Sequence, residues 1–366
     1  MAQIDNIINV NSVWNSTTIL PILESVTLKM WIYSGTQGNT AIEGVALDVS
    51  NDRTAATTYT LKGSSVKSGT DKAVSFDLAP LIKDYIESEL EDTKNSNNAM
   101  WVDIQLTKTV SGVETILASE HYLAVDGYDC TEPVPLGETS EGVQQGDIIR
   151  MSNRTILNPD GERVSIPLLR TGVLSYIMSI GVVDVESIAV LESELSNEQI
   201  IYVSSPVGQE IDLIRITYDN LQEDRIHVSN ICQDKYQDTK LTFVNKQGAF
   251  QDVWFFANKR RTLSVKSDTW NRRNKLVGGG AYRPTTVKNI ESVNETHTIN
   301  SGFYPENNNV VFEELMQSNN VWVTENGRTL PIIIKSSGFN FKDSNTDKAI
   351  NYTISFEYAF NKMRSL

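Results

Sequence analysis

The chain has 366 residues, of which 40% are apolar and 21% charged, enough hydrophobic content for ordinary cores, which excludes wholesale disorder. Its longest apolar runs, 253–257 and 330–334 among them, are five residues long, against the roughly twenty that a membrane-spanning helix needs. With 46 acidic residues against 32 basic, a formal charge of −14, the surface as a whole does not coat nucleic acid.

Period-two alternation runs through the chain. It predicts a mainly β protein, with two or three antiparallel β-sandwich or barrel-like domains and one or two short helices. Strands are expected first at 25–33, 43–49, 57–61, 101–107 and 114–125. In 101–107, Val102, Ile104 and Leu106 face one way and Asp103, Gln105 and Thr107 the other, the pattern of a half-buried strand. A helix is expected over 79–92, with Leu81, Ile82, Tyr85, Ile86 and Leu90 on one stripe. Glu87, Glu89, Glu91 and Asp92 crowd its C-terminal end and oppose the helix dipole, so tertiary packing has to hold it. These elements make an N-terminal domain, 1–130. Residues 131–146 hold two Pro and three Gly without periodicity and read as a linker.

A middle β domain, 147–231, carries a hairpin signal at Asn158-Pro159-Asp160-Gly161 and strands at 200–203 and 212–218. A less sharp boundary, near 219–239, leads into a C-terminal β domain, 232–366. There, strands are expected at 240–246 and 252–256, a helix at 310–317 and a hairpin turn at Asn326-Gly327. In the last strand, 351–360, Tyr352, Ile354, Phe356, Tyr358 and Phe360 are expected on one buried face.

Patterns that carry chemistry are few. Two cysteines, Cys130 and Cys232, make no disulfide framework. The first fifteen residues lack the basic start and apolar core of a secretory signal, so a reducing cytoplasm is the expected folding compartment. The histidines are His121, His227 and His297. His227 and Cys232, with Asp234 nearby, fall short of the three or four ligands of a metal site. There is no nucleophile elbow, phosphate-binding loop, dinucleotide fingerprint or zinc-protease pair. Glu313-Glu314 read as a solvated helix face rather than a glycosidase pair. No catalytic residue, cofactor or metal is expected, and the chain is read as non-enzymatic.

One segment departs from the acidic background. Residues 259–283 hold eight basic residues and one acid, +7, while the rest has 24 basic against 45 acidic, −21. Gly278-Gly279-Gly280 cannot be a stable strand interior, so the segment is expected to be a loop. Its Arg260, Arg261, Trp270, Arg272, Arg273, Lys275, Tyr282 and Arg283 are the candidate site residues. Three readings stand: a solvated loop, docking onto an acidic neighbouring subunit, and contact with nucleic acid, in which Trp270 and Tyr282 stack on bases.

From residue 232 onward the chain resembles structural proteins of tailed bacteriophages, closest to those of Bacteroidetes-infecting and crAss-like phages. The resemblance lies in Asp234-Lys235-Tyr236 and in the stretch 240–256, which runs from Lys240-Leu241-Thr242-Phe243 to Val253-Trp254-Phe255-Phe256. It continues in Asn320-Val321-Trp322-Val323, Leu330-Pro331-Ile332-Ile333-Ile334-Lys335 and Phe356-Glu357-Tyr358-Ala359-Phe360. Phe76-Asp77-Leu78-Ala79 and Asp126-Gly127-Tyr128 match the same group more weakly. None of these motifs is catalytic. The resemblance implies a virion component of the tail, neck or baseplate region, assembled in the host cytoplasm. Its partners would be identical subunits in a cyclic ring and other tail or neck proteins, with DNA contact a lesser reading and no membrane. The rival expectation is a tail fibre protein that binds a receptor or carbohydrate.

Overall fold

The computed structural model describes residues 7–9, 13–16, 25–34, 57–63, 66–68, 71–86, 90, 94, 99–110, 112–128, 143–144, 149–169, 173–180, 183–189, 200–206, 208–218, 223–232, 235–271, 286–325, 327–336 and 350–360. The protein is mainly β, with several antiparallel sheets and, among the described residues, two short α-helices. The N-terminal strands are β1 (Ile7–Asn9), β2 (Val13–Ser16), β3 (Ser25–Tyr33), β4 (Thr57–Gly63), β5 (Val66–Ser68), β6 (Asp71–Asp77), β7 (Ala99–Val110), β8 (Val113–Val125) and β9 (Val143–Gln144), with helix α1 (Ala79–Lys83) after β6. They form a six-stranded sheet in the order β4-β3-β7-β8-β1-β9 and a three-stranded sheet, β2-β6-β5. Of the expected linker, β9 is the described part, and it pairs with β1. The expected strand at 43–49 lies outside the described residues.

Alternation on β3 sends Val26, Leu28, Met30 and Ile32 into one core with Phe76, Leu78, Ile82 and Ile86, while Trp31 and Tyr33 enter another. The expected helix is much shorter than 79–92. It stops at Lys83, with Asp84 as its C-cap, before the acids that oppose its dipole accumulate. Ile86 stays buried without being helical. The half-buried reading of 101–107 is also corrected, because both faces of β7 are covered. Leu169 and Ile200 from the middle strands and Ala249 from the turn between β17 and β18 close over the side that holds Trp101. Asp103 on that side is wholly buried and accepts the Tyr33 hydroxyl at 3.0 Å, which satisfies its polar group.

The middle strands are β10 (Thr155–Pro159), β11 (Ser165–Leu169), β12 (Val173–Ile180), β13 (Val183–Ala189), β14 (Ile200–Ser204), β15 (Leu213–Tyr218) and β16 (Glu223–Ile231). They make a five-stranded sheet, β10-β16-β15-β12-β13, and a pair, β11-β14. The chain does turn at 158–161, where Glu162 N–H reaches the Pro159 carbonyl at 3.1 Å and Gly161 has φ of +80°. The expected hairpin does not form there. β10 pairs in parallel with β16, and β11 pairs with β14 in the other sheet. The Asn158 amide donates to the Pro159 and Glu162 carbonyls, holding a turn that separates two sheets instead of closing one.

The C-terminal strands are β17 (Thr239–Val244), β18 (Phe250–Phe255), β19 (Lys259–Asn271), β20 (Thr286–Asn300), β21 (Val321–Glu325), β22 (Arg328–Ile334) and β23 (Thr353–Tyr358), with helix α2 (Asn309–Gln317) after β20. One seven-stranded sheet holds them all, in the order β18-β17-β21-β22-β23-β20-β19. The hairpin expected at 326–327 is present, with Glu325 opposite Arg328 and Gly327 at φ of +73°. Helix α2 lays Val311, Phe312 and Leu315 onto the sheet beside Phe243, Phe255, Ile354 and Phe356. Glu314 does not lie on a solvated face. It is buried and accepts the Ser152 hydroxyl from the middle region, because the outward side of α2 is where that region packs.

Amide side chains knit these units together. Asn245, wholly buried, donates to the Arg150 carbonyl at 2.7 Å and accepts Gln247 N–H and Ala249 N–H. Gln251 donates to Asn153, and Asn153 donates to Asn308. Gly248, at φ of +77°, sits against β8, where a Cβ would come within 2.9 Å of Val125 Cβ. Only glycine combines that left-handed backbone with so close an approach. Among the described residues no helix is long and apolar enough to cross a membrane.

Candidate subunit interface

β19 ends the seven-stranded sheet and pairs with β20 over its whole length, from Lys259↔Ile299 to Asn271↔Thr286. β20 in turn touches β23 only over Thr296–Asn300. Among the described residues, 286–295 and their partners on β19 therefore have no third strand beside them and form a two-stranded arm. At roughly 3.4 Å per residue the arm projects about 30 Å. Two strands alone are marginally stable in water, and every residue of β19 is exposed.

The pairing sorts the arm into two faces. Lys259, Arg261, Leu263 and Val265 lie on one, opposite Ile299, His297, Glu295 and Val293; Arg260, Thr262, Ser264 and Lys266 lie on the other. The first face continues the inner face of the sheet, so its side chains become exposed apolar groups once the core ends. Leu263 is 56% exposed, Val265 39% and Val293 42%. With Trp270 they are four of the ten exposed large hydrophobic side chains among the described residues, a concentration that a solvated ribbon has no reason to keep.

The root of the arm holds a charged cluster. His297 is buried, stacked on Phe356 with ring centres 5.2 Å apart, and bonded through Nε2 to Glu295 at 2.8 Å. Arg261 pairs with the same Glu295, and Lys259 pairs with Glu325. Tyr358 donates to Glu325 at 3.1 Å, and burial together with that carboxylate pushes its phenol up to about 12. Burial, and then Lys259, hold His297 below its ordinary value of 6.5, against the opposing pull of Glu295 and Glu325. The unfolded chain therefore binds a proton at this imidazole at a higher pH than the folded one does. The stability it contributes is complete above 6.5 and is lost as pH falls from there toward the folded value. Thermal denaturation of the protein is expected to shift to lower temperature between about pH 7 and about pH 5, and His297→Gln is expected to flatten that dependence.

Of the expected site residues, Arg260, Arg261 and Trp270 stand on β19, all exposed, whereas Arg272, Arg273, Lys275, Tyr282 and Arg283 lie outside the described residues. Arg260 and Arg261 project from opposite faces. The expected basic loop over 259–283 is corrected for its first thirteen residues, which are strand. Thr262, Val265, Thr269 and Trp270 favour a pleated backbone, and β20 supplies the hydrogen-bonding partner. β20 itself was missed as a strand. Its alternation slips at Glu291, which the register skips between Ser292 and Ile290, so no single phase runs along it. Its enrichment in Thr, Val and Ile is the signal that remains. His121 lies on β8, His227 and Cys232 are exposed, and Cys130 and Asp234 lie outside the described residues. Among the described residues no three His, Cys, Asp or Glu side chains gather as a metal site. Compared with known proteins, the chain matches no family model and no curated protein.

Proposed function

We propose that this chain is a structural subunit of a tailed-bacteriophage virion, repeated around a closed ring in the tail, neck or baseplate region. The observation that carries the reading is the arm, a ribbon with an apolar face that ends the sheet of an acidic protein, in a segment, 259–300, whose sequence holds nine basic residues against three acids. Each copy thus offers a partly apolar projection with basic residues at its root to neighbours whose net charge is negative, and oppositely charged surfaces steer association. The resemblance of 240–256 and 320–360 to phage structural proteins supports the same reading, and the chain shows no motif of a known catalytic class.

Native mass measurement of the purified protein is expected to find a closed cyclic oligomer. Arg260→Glu with Arg261→Glu is expected to weaken association about tenfold, the effect of a few exposed charge pairs at roughly 0.2–1 kcal/mol each. Raised salt is expected to weaken the wild type in the same sense, because exposed charges are screened beyond about 8 Å at physiological ionic strength. A trimer with affinity for glycans would instead make the chain a fibre protein. DNA binding with a steep salt dependence would assign the arm to nucleic acid.

A further inference from the structure

The arm is tied to the rest of its sheet through one short contact. Among the described residues β19 pairs with β20 alone, and β20 meets β23 over five pairs, from Thr296↔Glu357 to Asn300↔Thr353. His297 stands opposite Phe356 in the second of these pairs, just inside the point where the third strand ends. It is 4% exposed, stacks on Phe356 and meets Tyr358 edge-on with ring centres 5.1 Å apart.

The imidazole is bonded on one side. Nε2 faces the Glu295 carboxylate at 2.8 Å, so the neutral ring carries its hydrogen on that nitrogen and donates it there. Nδ1 is buried with no hydrogen-bond partner among the described residues. As a bare lone pair it is tolerated; as an N–H it becomes a buried donor without an acceptor. Titratable groups surround the ring from the strands packed on it. Lys259 and Arg261 come from β19, Glu295 from β20, Glu325 from β21 and Tyr358 from β23, while β22 sets Ile332 and Ile334 opposite Tyr358 and Phe356. Both carboxylates are already engaged, Glu295 by Arg261 and Glu325 by Lys259 and Tyr358. A second proton on His297 therefore adds a positive charge and an unmet donor to a site whose negative charges are matched.

We infer that His297 is an acid-operated latch at the root of the arm: neutral, it fastens β20 to β23, and protonated, it leaves its stack on Phe356 and frees the arm from the sheet. Opening is local. Thr296 and His297 form the outer end of the contact and can part from Glu357 and Phe356 while β17, β18 and β21 stay paired among themselves. Where the arm carries association between copies, as proposed above, that association weakens in acid. This consequence rests on that reading; the latch itself does not.

The test is hydrogen exchange of the full chain between about pH 7.5 and about pH 5, with exchange times scaled for the intrinsic pH dependence. Opening of the contact is read at the amides of 296–300 and 353–357. It is expected to rise about tenfold for each pH unit between 6.5 and the folded value of His297 and to level off below it, while the amides of β17 keep their protection. His297→Gln, whose amide still donates to Glu295 but takes up no proton, is expected to abolish the rise. The imidazole signal of His297 in the wild type, followed by NMR, is expected to have its midpoint where the rise levels off, a check that needs no variant. Equal protection at both ends of the range, a rise that persists in His297→Gln, a midpoint elsewhere, or a loss shared equally by β17 overturns the latch. Native mass measurement over the same range separates it from the assembly reading. A chain that is monomeric throughout yet opens at 296–300 overturns the ring and keeps the latch; a ring whose arm root stays closed in acid overturns the latch and keeps the ring.

Discussion

Phe356→Ala is expected to destabilise the C-terminal sheet by about 3–5 kcal/mol. Phe356 has no exposed surface, stacks on His297 and packs edge-on to Tyr358. It sits between Ile332, Ile354 and the residues of α2, none of which can collapse into the space a phenyl ring leaves without pulling the helix off the sheet. Glu357, one residue on, points to the other face, where it accepts the Thr296 hydroxyl at 3.0 Å and meets Lys335 at 3.1 Å with part of its side chain in water. Glu357→Ala is expected to cost about 0.5–1 kcal/mol, the range of exposed pairs and hydrogen bonds. Chemical denaturation of both variants checks the difference, and equal losses would mean that β23 is in the opposite register.

Lys94→Met is expected to cost about 3 kcal/mol, the effect of leaving one member of a buried ion pair alone. Lys94 reaches from the N-terminal region to Asp252 on β18 at 2.8 Å, with each side chain 12% exposed. The two partners gain unequally. Burial lowers Lys94 by more than Asp252 restores, so the ammonium sits at a net cost. Burial raises Asp252, but Lys94, Lys240 and hydrogen bonds from Lys94 and Thr242 outweigh it and leave the carboxyl below its ordinary value. The carboxylate is thus the member that suffers when the pair is broken, and Lys240 nearby keeps the loss at the lower end of the usual range. Restoring an apolar site with Lys94→Met, Asp252→Leu and Thr242→Val together is expected to recover most of the stability, because the pair contributes little over well-packed hydrocarbon. Equilibrium unfolding of the single and triple variants checks this. The part Asp252 contributes is full above 3.8 and is lost as pH falls below that value.

The two sites were not equally visible in the sequence. The last strand declared its buried face through Tyr352, Ile354 and Phe356, because period-two alternation is a local property of a pleated chain. Its limit was also local: Phe360, past the end of β23, is 43% exposed, since alternation does not say where a neighbouring strand stops. Lys94 and Asp252 are 158 residues apart, and nothing in either neighbourhood marks them as partners.

The mainly β class, strands at 25–33 and 57–61, a last strand within 351–360 and the turn at 326–327 were determined by the sequence alone, because alternation and turn chemistry act within a few residues. Charge counting likewise marked 259–283 as the segment that differs from the rest. Tertiary structure decided what those elements do. It covered the polar face of β7, sent β10 and β11 into different sheets, buried Glu314 and made the first thirteen residues of the basic segment a strand paired with β20. Each of these depends on which distant strand supplies hydrogen bonds or cover, and that information is spread over pairings such as Asp103 with Tyr33 or Lys259 with Ile299 rather than written in any local pattern.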